Sequence, residues 1–162
     1  MTTLDQTPIL EAIRRFLATE QISFEELQHP PTFTAQEAAD ARQEPLQIGA
    51  KAIVAKVGKS FRLFVLSSSK KIHSRQLCKQ LGESRFRFAH REELLKLTGL
   101  VPGCVPPFGE PILPLPLFVD ESLLENARVA FNAGSHTHSI LMRRDDYLRV
   151  ASPEQVLSFG RD

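Results

Sequence analysis

A loop rich in glycine and proline is the first candidate for chemistry in this sequence. Between Gly99 and Gly109 stand three glycines and three prolines. Proline lacks the backbone donor and fixes φ, so this segment cannot be a helix or a central strand. A stiff loop with few side chains can bring backbone N–H and C=O groups close to a ligand. The pattern therefore predicts either a backbone-lined binding surface or a plain rigid turn.

Lys51 and the pair His136 and His138 are the polar side chains best placed by sequence to act on a ligand. Lys51 stands at the start of an apolar run, where its charge must be paired, directed into a cleft or left in solvent. The two histidines would face the same way on a strand, as metal ligands, substrate contacts or a surface hairpin tip. No third ligand stands at a suitable spacing. We therefore predict no metal and no cofactor.

Motifs of the common catalytic classes are missing from the sequence. It contains no G-x-S-x-G elbow, no P-loop, no G-x-G-x-x-G and no H-E-x-x-H. Cys78 and Cys104 lack the context of a known nucleophile and are too few to staple a fold. We expect two reduced thiols in a cytoplasmic protein, with no covalent catalysis.

Positive charge is concentrated in the middle of the chain. The formal net charge is +1, yet Lys56 to Arg91 contains ten basic residues and one acidic residue, Glu83. That segment carries +9, which leaves −8 for the rest of the chain. Such segregation favours a polyanion at one face of the molecule, although a solvated surface would give the same count.

Length and hydropathy predict one domain spanning residues 1–162. The chain is 42% hydrophobic and includes eleven phenylalanines, enough to fill a core of this size. No apolar run approaches the roughly 20 residues of a membrane helix. The start, Met1 to Asp5, lacks the basic-then-apolar order of a signal peptide. We expect no membrane partner.

Helical spacing, caps and apolar runs predict the elements that position these residues. Helices are expected at about 6–19, 35–42, 74–81 and 91–98, with a last short helix opened by the capping box at 152–155. Hairpins are expected at 50–57 with 61–67 and at 129–133 with 139–143, beside a short strand at 85–89. Prolines restrict a strand at 112–119 to an edge or an irregular form. This order predicts an α+β fold with a mixed sheet.

Six motifs in a fixed order carry a resemblance to a known family. They are Thr34–Ala39, Gly49–Val54, Phe88–Leu94 with Leu97–Gly99, Gly103–Pro107, Phe118–Leu123, and Phe131–Gly134 with Ser139–Ile140. Together, from about residue 30 to 150, they resemble the YbaK family, the prolyl-tRNA-synthetase-associated editing domains. The resemblance implies a curled mixed β-sheet flanked by helices.

The resemblance also implies an activity and a set of site residues. The activity is hydrolysis of the ester joining a wrong amino acid to the terminal adenosine of a tRNA, with tRNA(Pro) carrying Cys or Ala as the expected substrate. Lys51 falls on the family's functional lysine, and Gly103 and Pro107 complete the predicted catalytic set. The predicted substrate-binding residues are Phe33, Thr34, Val105, Pro106, Phe108, Asn132, Gly134, His136, His138 and Ser139, and those predicted to hold the tRNA backbone are Lys70, Lys71 and Arg75.

An aminoacyl ester is already activated, so positioning a water and stabilising charge on the tetrahedral intermediate can suffice. The adenosine's free hydroxyl can help to position that water. We therefore predict a free-standing deacylase whose partner is the tRNA acceptor 3′ end, with prolyl-tRNA synthetase as a further candidate partner. The alternatives are a non-catalytic tRNA 3′-end-binding or adaptor protein of the same fold, and an unrelated small-molecule hydrolase.

Overall fold

The computed structural model describes residues 7–162, which form five α-helices and ten strands. The helices are α1 Pro8–Thr19, α2 Ala35–Arg42, α3 Ser74–Leu81, α4 Arg91–Thr98 and α5 Arg144–Ala151. The strands are β1 Phe24–Gln28, β2 Ala50–Val57, β3 Ser60–Ser67, β4 Lys71–Ile72, β5 Phe86–Phe88, β6 Leu117–Asp120, β7 Arg128–Asn132, β8 His138–Arg143, β9 Gln155–Leu157 and β10 Gly160–Arg161. Short 3₁₀ turns cover Leu46–Ile48 and Glu121–Glu125.

Two sheets position the later site residues. The larger has the strand order β5-β2-β3-β6-β9 and is mixed, with antiparallel pairs through β5, β2 and β3 and parallel pairs from β3 to β6 and β9. The smaller is antiparallel, with the order β1-β8-β7. A parallel bridge between Gly49 and Ala130 joins their edges. The predicted α+β fold with a mixed sheet is confirmed.

Local capping signals set the helix ends as the sequence predicts. Thr34 caps α2 in a reciprocal capping box with Glu37. Gly82 and Gly99 end α3 and α4 in the left-handed conformation, which costs glycine little because it has no Cβ. Helix α1 buries Leu10, Ile13 and Leu17; the predicted start at residue 6 lies outside the described residues.

The second half of the Gly/Pro loop enters the core instead of forming a surface. Phe108 is 1% exposed and packs edge-on against Phe16, Phe131 and Tyr147, with ring centroids 5.4–5.9 Å apart. The Tyr147 hydroxyl donates to the Pro107 carbonyl oxygen at 2.6 Å. Only the first half of the loop remains open to solvent, because apolar burial of Phe108 draws in the segment around it.

The predicted last helix is wrong. The chain is helical earlier, in α5, which ends where Ser152 adopts a φ of 45°. The residues after it form β9, which pairs in parallel with β6 and so places β6 in the interior of the sheet. Leu117–Asp120 contains no proline, so the prolines that argued for an edge or irregular strand stop short of it. Long-range pairing therefore overrides the local capping signal at Ser152.

Strand β1 was not predicted, because Phe24–Gln28 contains two glutamates and gives little apolar signal. It is held by antiparallel pairing with β8. Within residues 7–162, no helix has both the length and the apolar character needed to cross a membrane.

Candidate active site

A cleft of about 320 Å³ lies between α2, β2, the start of α4 and the loop at 102–105. Much of its wall is small and apolar, since six alanines line it, together with larger apolar side chains from β2, β5 and α4. Two cations, Lys51 and Arg42, also line it, and no carboxylate of the described chain does. The cleft therefore favours a ligand that is compact and carries anionic or hydrogen-bond-accepting groups.

Lys51 stands at the rim of this cleft, one residue into β2. It is half-buried, and its ammonium donates to the Lys70 carbonyl oxygen. Burial lowers the pKa of Lys51 below its usual value, and repulsion from Lys71 lowers it further. Both effects mean that the charge is incompletely stabilised by the protein alone, so a negative charge placed beside it is favoured.

This electrostatic setting predicts a pH dependence. Lys51 should lose its proton at a lower pH than an ordinary lysine, and Lys71→Gln should move that midpoint upward because it removes a like charge. The titration can be followed by the ¹³Cε chemical shift of Lys51. If deacylation needs the charged form, its alkaline decline should move with the midpoint. Lys59→Gln, at the far end of the hairpin, is the matched control; equal shifts from both variants would contradict this setting.

Gly103 forms the opposite lip of the cleft. Its φ is +90°, and a Cβ there would lie 3.0 Å from Nε2 of His136. The Asn132 amide donates to the Gly103 carbonyl oxygen at 2.7 Å, and His136 Nε2 donates to the Pro102 carbonyl oxygen at 3.1 Å. Two side chains from the β7–β8 hairpin therefore fix the backbone at this lip.

A hydrogen-bond network links α2 to that hairpin. Arg42 Nε donates to Ser139 Oγ and Arg42 Nη2 to Asn132 Oδ1, both at 2.9 Å. His29 Nε2 lies 2.8 Å from the same Ser139 oxygen. Burial lowers the pKa of Arg42 to about 10, so the guanidinium stays charged at neutral pH. Sequence reasoning missed Arg42; the available signal was a charge four residues after Ala38, on the buried face of an alanine-rich helix.

Six predicted site residues line the cleft together: Lys51, Gly103, Phe33, Thr34, Val105 and Asn132. Phe33 is 70% exposed, although apolar. An exposed aromatic ring beside a cleft is available to pack against a ligand. The fold thus brings Lys51, the loop at Gly103 and the start of α2 together around one cleft, as the sequence analysis expected.

The remaining predicted residues do not line it. Pro106, Pro107 and Phe108 are buried behind the loop, and a Cβ on Gly134 would lie 2.9 Å from the Ile9 side chain, against α1. These placements argue against direct contact of these four residues with the substrate. They indicate instead that the four residues support the walls of the cleft. Ser139 lies behind the wall, where its hydroxyl oxygen accepts a hydrogen bond from Arg42.

The two histidines occupy different surroundings. His136 lies before β8, with its ring 4.7 Å from the Phe33 ring at the cleft's edge. His138 is 3% exposed and bonded to Thr137 Oγ1 at 2.9 Å. The strand pattern predicted that the two rings would face the same way. They do not, because His138 is the first residue of β8 and His136 lies before the strand. Among residues 7–162 no three His, Cys, Asp or Glu side chains are grouped to hold a metal ion.

Neither cysteine offers a ready nucleophile. Both thiols are buried, and burial raises the pKa of Cys104 to about 11 and that of Cys78 above its usual value. A thiol with a raised pKa holds little thiolate at neutral pH. Neither Cys78 nor Cys104 is in the wall of the cleft, so neither thiol is placed to attack a ligand there.

Some basic residues of the segment from Lys56 to Arg91 form ion pairs in the structure, and others do not. Lys70, Arg62 and Arg87 pair with Asp162, Glu83 and Glu93 at 2.5, 3.0 and 2.8 Å. Lys71 is exposed and close enough to Lys51 to lower its pKa, and Arg161 pairs in register with Lys71. Arg75 is exposed in the first turn of α3. Among residues 7–162, these three side chains make no ion pair, and neither do Lys56, Lys59, Lys79, Arg85 and Arg91.

A family model, a curated relative and a solved structure are all similar to this chain, and all three concern aminoacyl-tRNA editing. The family described as aminoacyl-tRNA editing domain matches residues 29–150. The multifunctional Ser/Thr-tRNA deacylase ProXp-y of Escherichia coli strain K12 is 34% identical over 146 residues, which cover 86% of each chain. The crystal structure of a candidate trans-editing enzyme for prolyl-tRNA synthetase has a TM-score of 0.81 at 27% identity, over 97% of this chain and 99% of that one. The family resemblance carried by the six motifs is confirmed.

Proposed function

This chain belongs to the aminoacyl-tRNA editing domain family and is an aminoacyl-tRNA hydrolase, and we propose that it removes a wrong small amino acid from tRNA in the cleft at Lys51. The observation that supports this site is the meeting of Lys51, Gly103 and Asn132 around one small cleft. An activated ester needs orientation and charge stabilisation there more than it needs a protein nucleophile.

The proposed reaction is direct attack of water on the ester carbonyl carbon. The Lys51 ammonium has three donors, one of which is bonded to the Lys70 carbonyl oxygen. The others stabilise the negative oxygen of the tetrahedral intermediate or the adjacent phosphate. The bond to the ribose oxygen then breaks, that oxygen takes up the proton that the attacking water loses, and free amino acid and tRNA leave. The Gly103 backbone holds the substrate, and the free ribose hydroxyl helps to position the water.

The alanine-lined wall favours a small amino acid. Because the E. coli relative is named a Ser/Thr-tRNA deacylase, we propose serine or threonine as the amino acid removed. Cysteine or alanine on tRNA(Pro), expected from the sequence resemblance, is the alternative. We also propose prolyl-tRNA synthetase as a partner and the cytoplasm as the place of action.

The experiment is release of amino acid from a panel of purified tRNAs charged with Ser, Thr, Ala or Cys, including tRNA(Pro) carrying Ala or Cys. We expect release above the uncatalysed rate, fastest for Ser or Thr. Fastest release from tRNA(Pro) carrying Cys or Ala would establish the alternative specificity. Binding of tRNA without release from any member would contradict hydrolysis in this cleft and favour an adaptor role.

We further propose that Lys71, Arg75 and Arg161 hold tRNA phosphates. Arg75→Glu should weaken tRNA binding several-fold at low salt and reduce the salt dependence, since each phosphate contact contributes about 0.7–0.9 to the slope of log affinity against log salt. Lys59→Glu makes the same charge change in the turn of the β2–β3 hairpin, about 20 Å along β2 from Lys51. Binding isotherms at two or more salt concentrations measure both. Equal effects of the two variants would show that Arg75 acts only through net charge.

A further inference from the structure

Arg42 is a buried cation whose charge no carboxylate of residues 7–162 pairs. The residue is only 9% exposed. Its two hydrogen bonds go to neutral oxygens, those of Ser139 and Asn132. Across residues 7–162, no carboxylate lies within 4 Å of the guanidinium. Within the same residues Nη1 makes no hydrogen bond and is not fully buried, so it is free to donate to a ligand. Burying a charge in this way is costly unless a partner compensates it.

The position of Arg42 shows where such a partner would come from. Arg42 lies in the wall of the cleft, as does Asn132, whose amide oxygen it holds. Neighbouring wall positions on α2, β2 and β7 are Ala38, Ala50 and Ala130, whose methyl groups leave room for a small group. A ligand that reaches this end of the cleft therefore meets guanidinium donors framed by apolar surface.

Lys51 and Arg42 divide the cleft between two tasks. Lys51 is at the rim, where its ammonium is bonded to the Lys70 carbonyl oxygen. This position suits contact with the ester and the phosphate of the substrate. Arg42 is the more buried cation, at the end of α2, which suits the amino acid's own side chain. The α-ammonium of the substrate is repelled from both, so the side chain is the group that can approach Arg42.

We infer that Arg42 determines specificity, by donating a hydrogen bond to an oxygen on the side chain of the amino acid that is removed. This inference rests on the proposed deacylase function. The oxygen is the hydroxyl of serine or threonine or the carboxylate of aspartate. Alanine and valine lack it, and lysine or arginine would place a second cation beside the first.

A site built to hydrogen-bond a substrate group rejects the analogue without it, because its own donor is then buried unpaired. A hydrogen bond to a charged group corresponds to a factor of about 10–100 in rate or affinity. We therefore expect kcat/KM to favour Ser over Ala, and Thr over its near-isostere Val, by about that factor.

The test compares kcat/KM on one tRNA charged with Ser, Ala, Thr, Val or Asp, for the wild type, Arg42→Met and Arg42→Lys. Arg42→Met should lose most of the Ser/Ala and Thr/Val preference, with a larger loss on Ser than on Ala. Arg42→Lys keeps the charge and should restore part of both ratios. The Asp substrate decides between the two oxygens: faster release than Ser identifies a carboxylate, and slower release identifies a hydroxyl.

Three results would overturn the inference. One is a wild type that is active but releases Ala and Val as fast as Ser and Thr. Another is an Arg42→Met protein that loses equal rate on every substrate, which would reduce Arg42 to a support for Asn132 and Ser139. The third is an Arg42→Lys protein no closer to the wild-type ratios than Arg42→Met. If Arg42→Met does not fold, as judged by its thermal transition, the wild-type and Arg42→Lys ratios still decide. No release from any substrate by the wild type would instead be a failure of the proposed function.

Discussion

Lys51→Ala is expected to slow deacylation by about 10²–10³-fold while leaving the fold intact. Losing one preorganised electrostatic contact to a developing oxyanion typically has that effect. The Lys51 side chain is half-buried at the rim of the cleft, and within residues 7–162 its ammonium bonds only to a backbone carbonyl. Its removal therefore creates no core cavity. Single-turnover release of amino acid from charged tRNA measures the loss.

Lys59→Ala is the matched control for that variant. It deletes an equally charged side chain in the turn at the other end of the same hairpin, far from the cleft. We expect near wild-type release from Lys59→Ala and an unchanged thermal midpoint for both proteins. A folded Lys51→Ala protein with near-normal turnover would remove Lys51 from the mechanism.

Gly103→Val is expected to reduce deacylation by about 10²-fold or more. The glycine has a φ of +90°, and the new Cβ would lie 3.0 Å from His136 Nε2, which is tighter than ordinary contact. A β-branched residue is strained at this φ. Both effects would displace the carbonyl that Asn132 holds, and small displacements at a reacting centre cost large factors in rate.

Gly99→Val separates the two contributions. Gly99 has a φ of +74°, but a Cβ there meets no atom of the described chain, residues 7–162, within 4 Å. The variant should share the backbone strain of about 1–3 kcal/mol and show a lower thermal midpoint, with much less loss of activity than Gly103→Val. Equal activity losses would mean that only backbone strain, not crowding at the lip, is at work.

Cys104→Ser completes that series. The thiol is buried and its pKa is raised to about 11, so we expect a smaller loss of deacylation from this substitution than from Gly103→Val. A greater loss would bring cysteine chemistry back into consideration.

The sequence predicts elements well where the determining contacts are local. The capping box of Thr34 and Glu37 and the glycine stop at Gly82 act within one helical turn. The same kind of signal misleads at Ser152, because pairing of β9 with β6 decides that segment. Strand β1 escapes prediction for a similar reason, since it depends on β8, more than a hundred residues away.

The site residues also differ in whether the sequence could predict them. Lys51, Gly103 and Asn132 can be named from motif positions, and the structure brings them to one cleft. The direction of Phe108 cannot be read from the motif, because it depends on the aromatic cluster around Tyr147. Arg42 escapes prediction because Ser139 and Asn132, the partners of its guanidinium within residues 7–162, come from the distant β7–β8 hairpin.

A crystal structure of the protein with 3′-(L-seryl)amino-3′-deoxyadenosine, an amide that replaces the labile ester, would test the site most directly. We expect the carbonyl of this analogue to lie between the Lys51 ammonium and the Gly103 backbone, with the seryl side chain directed toward Arg42. An analogue bound elsewhere on the molecule, or bound in the cleft with its carbonyl away from Lys51, would contradict the assignment of this cleft as the active site.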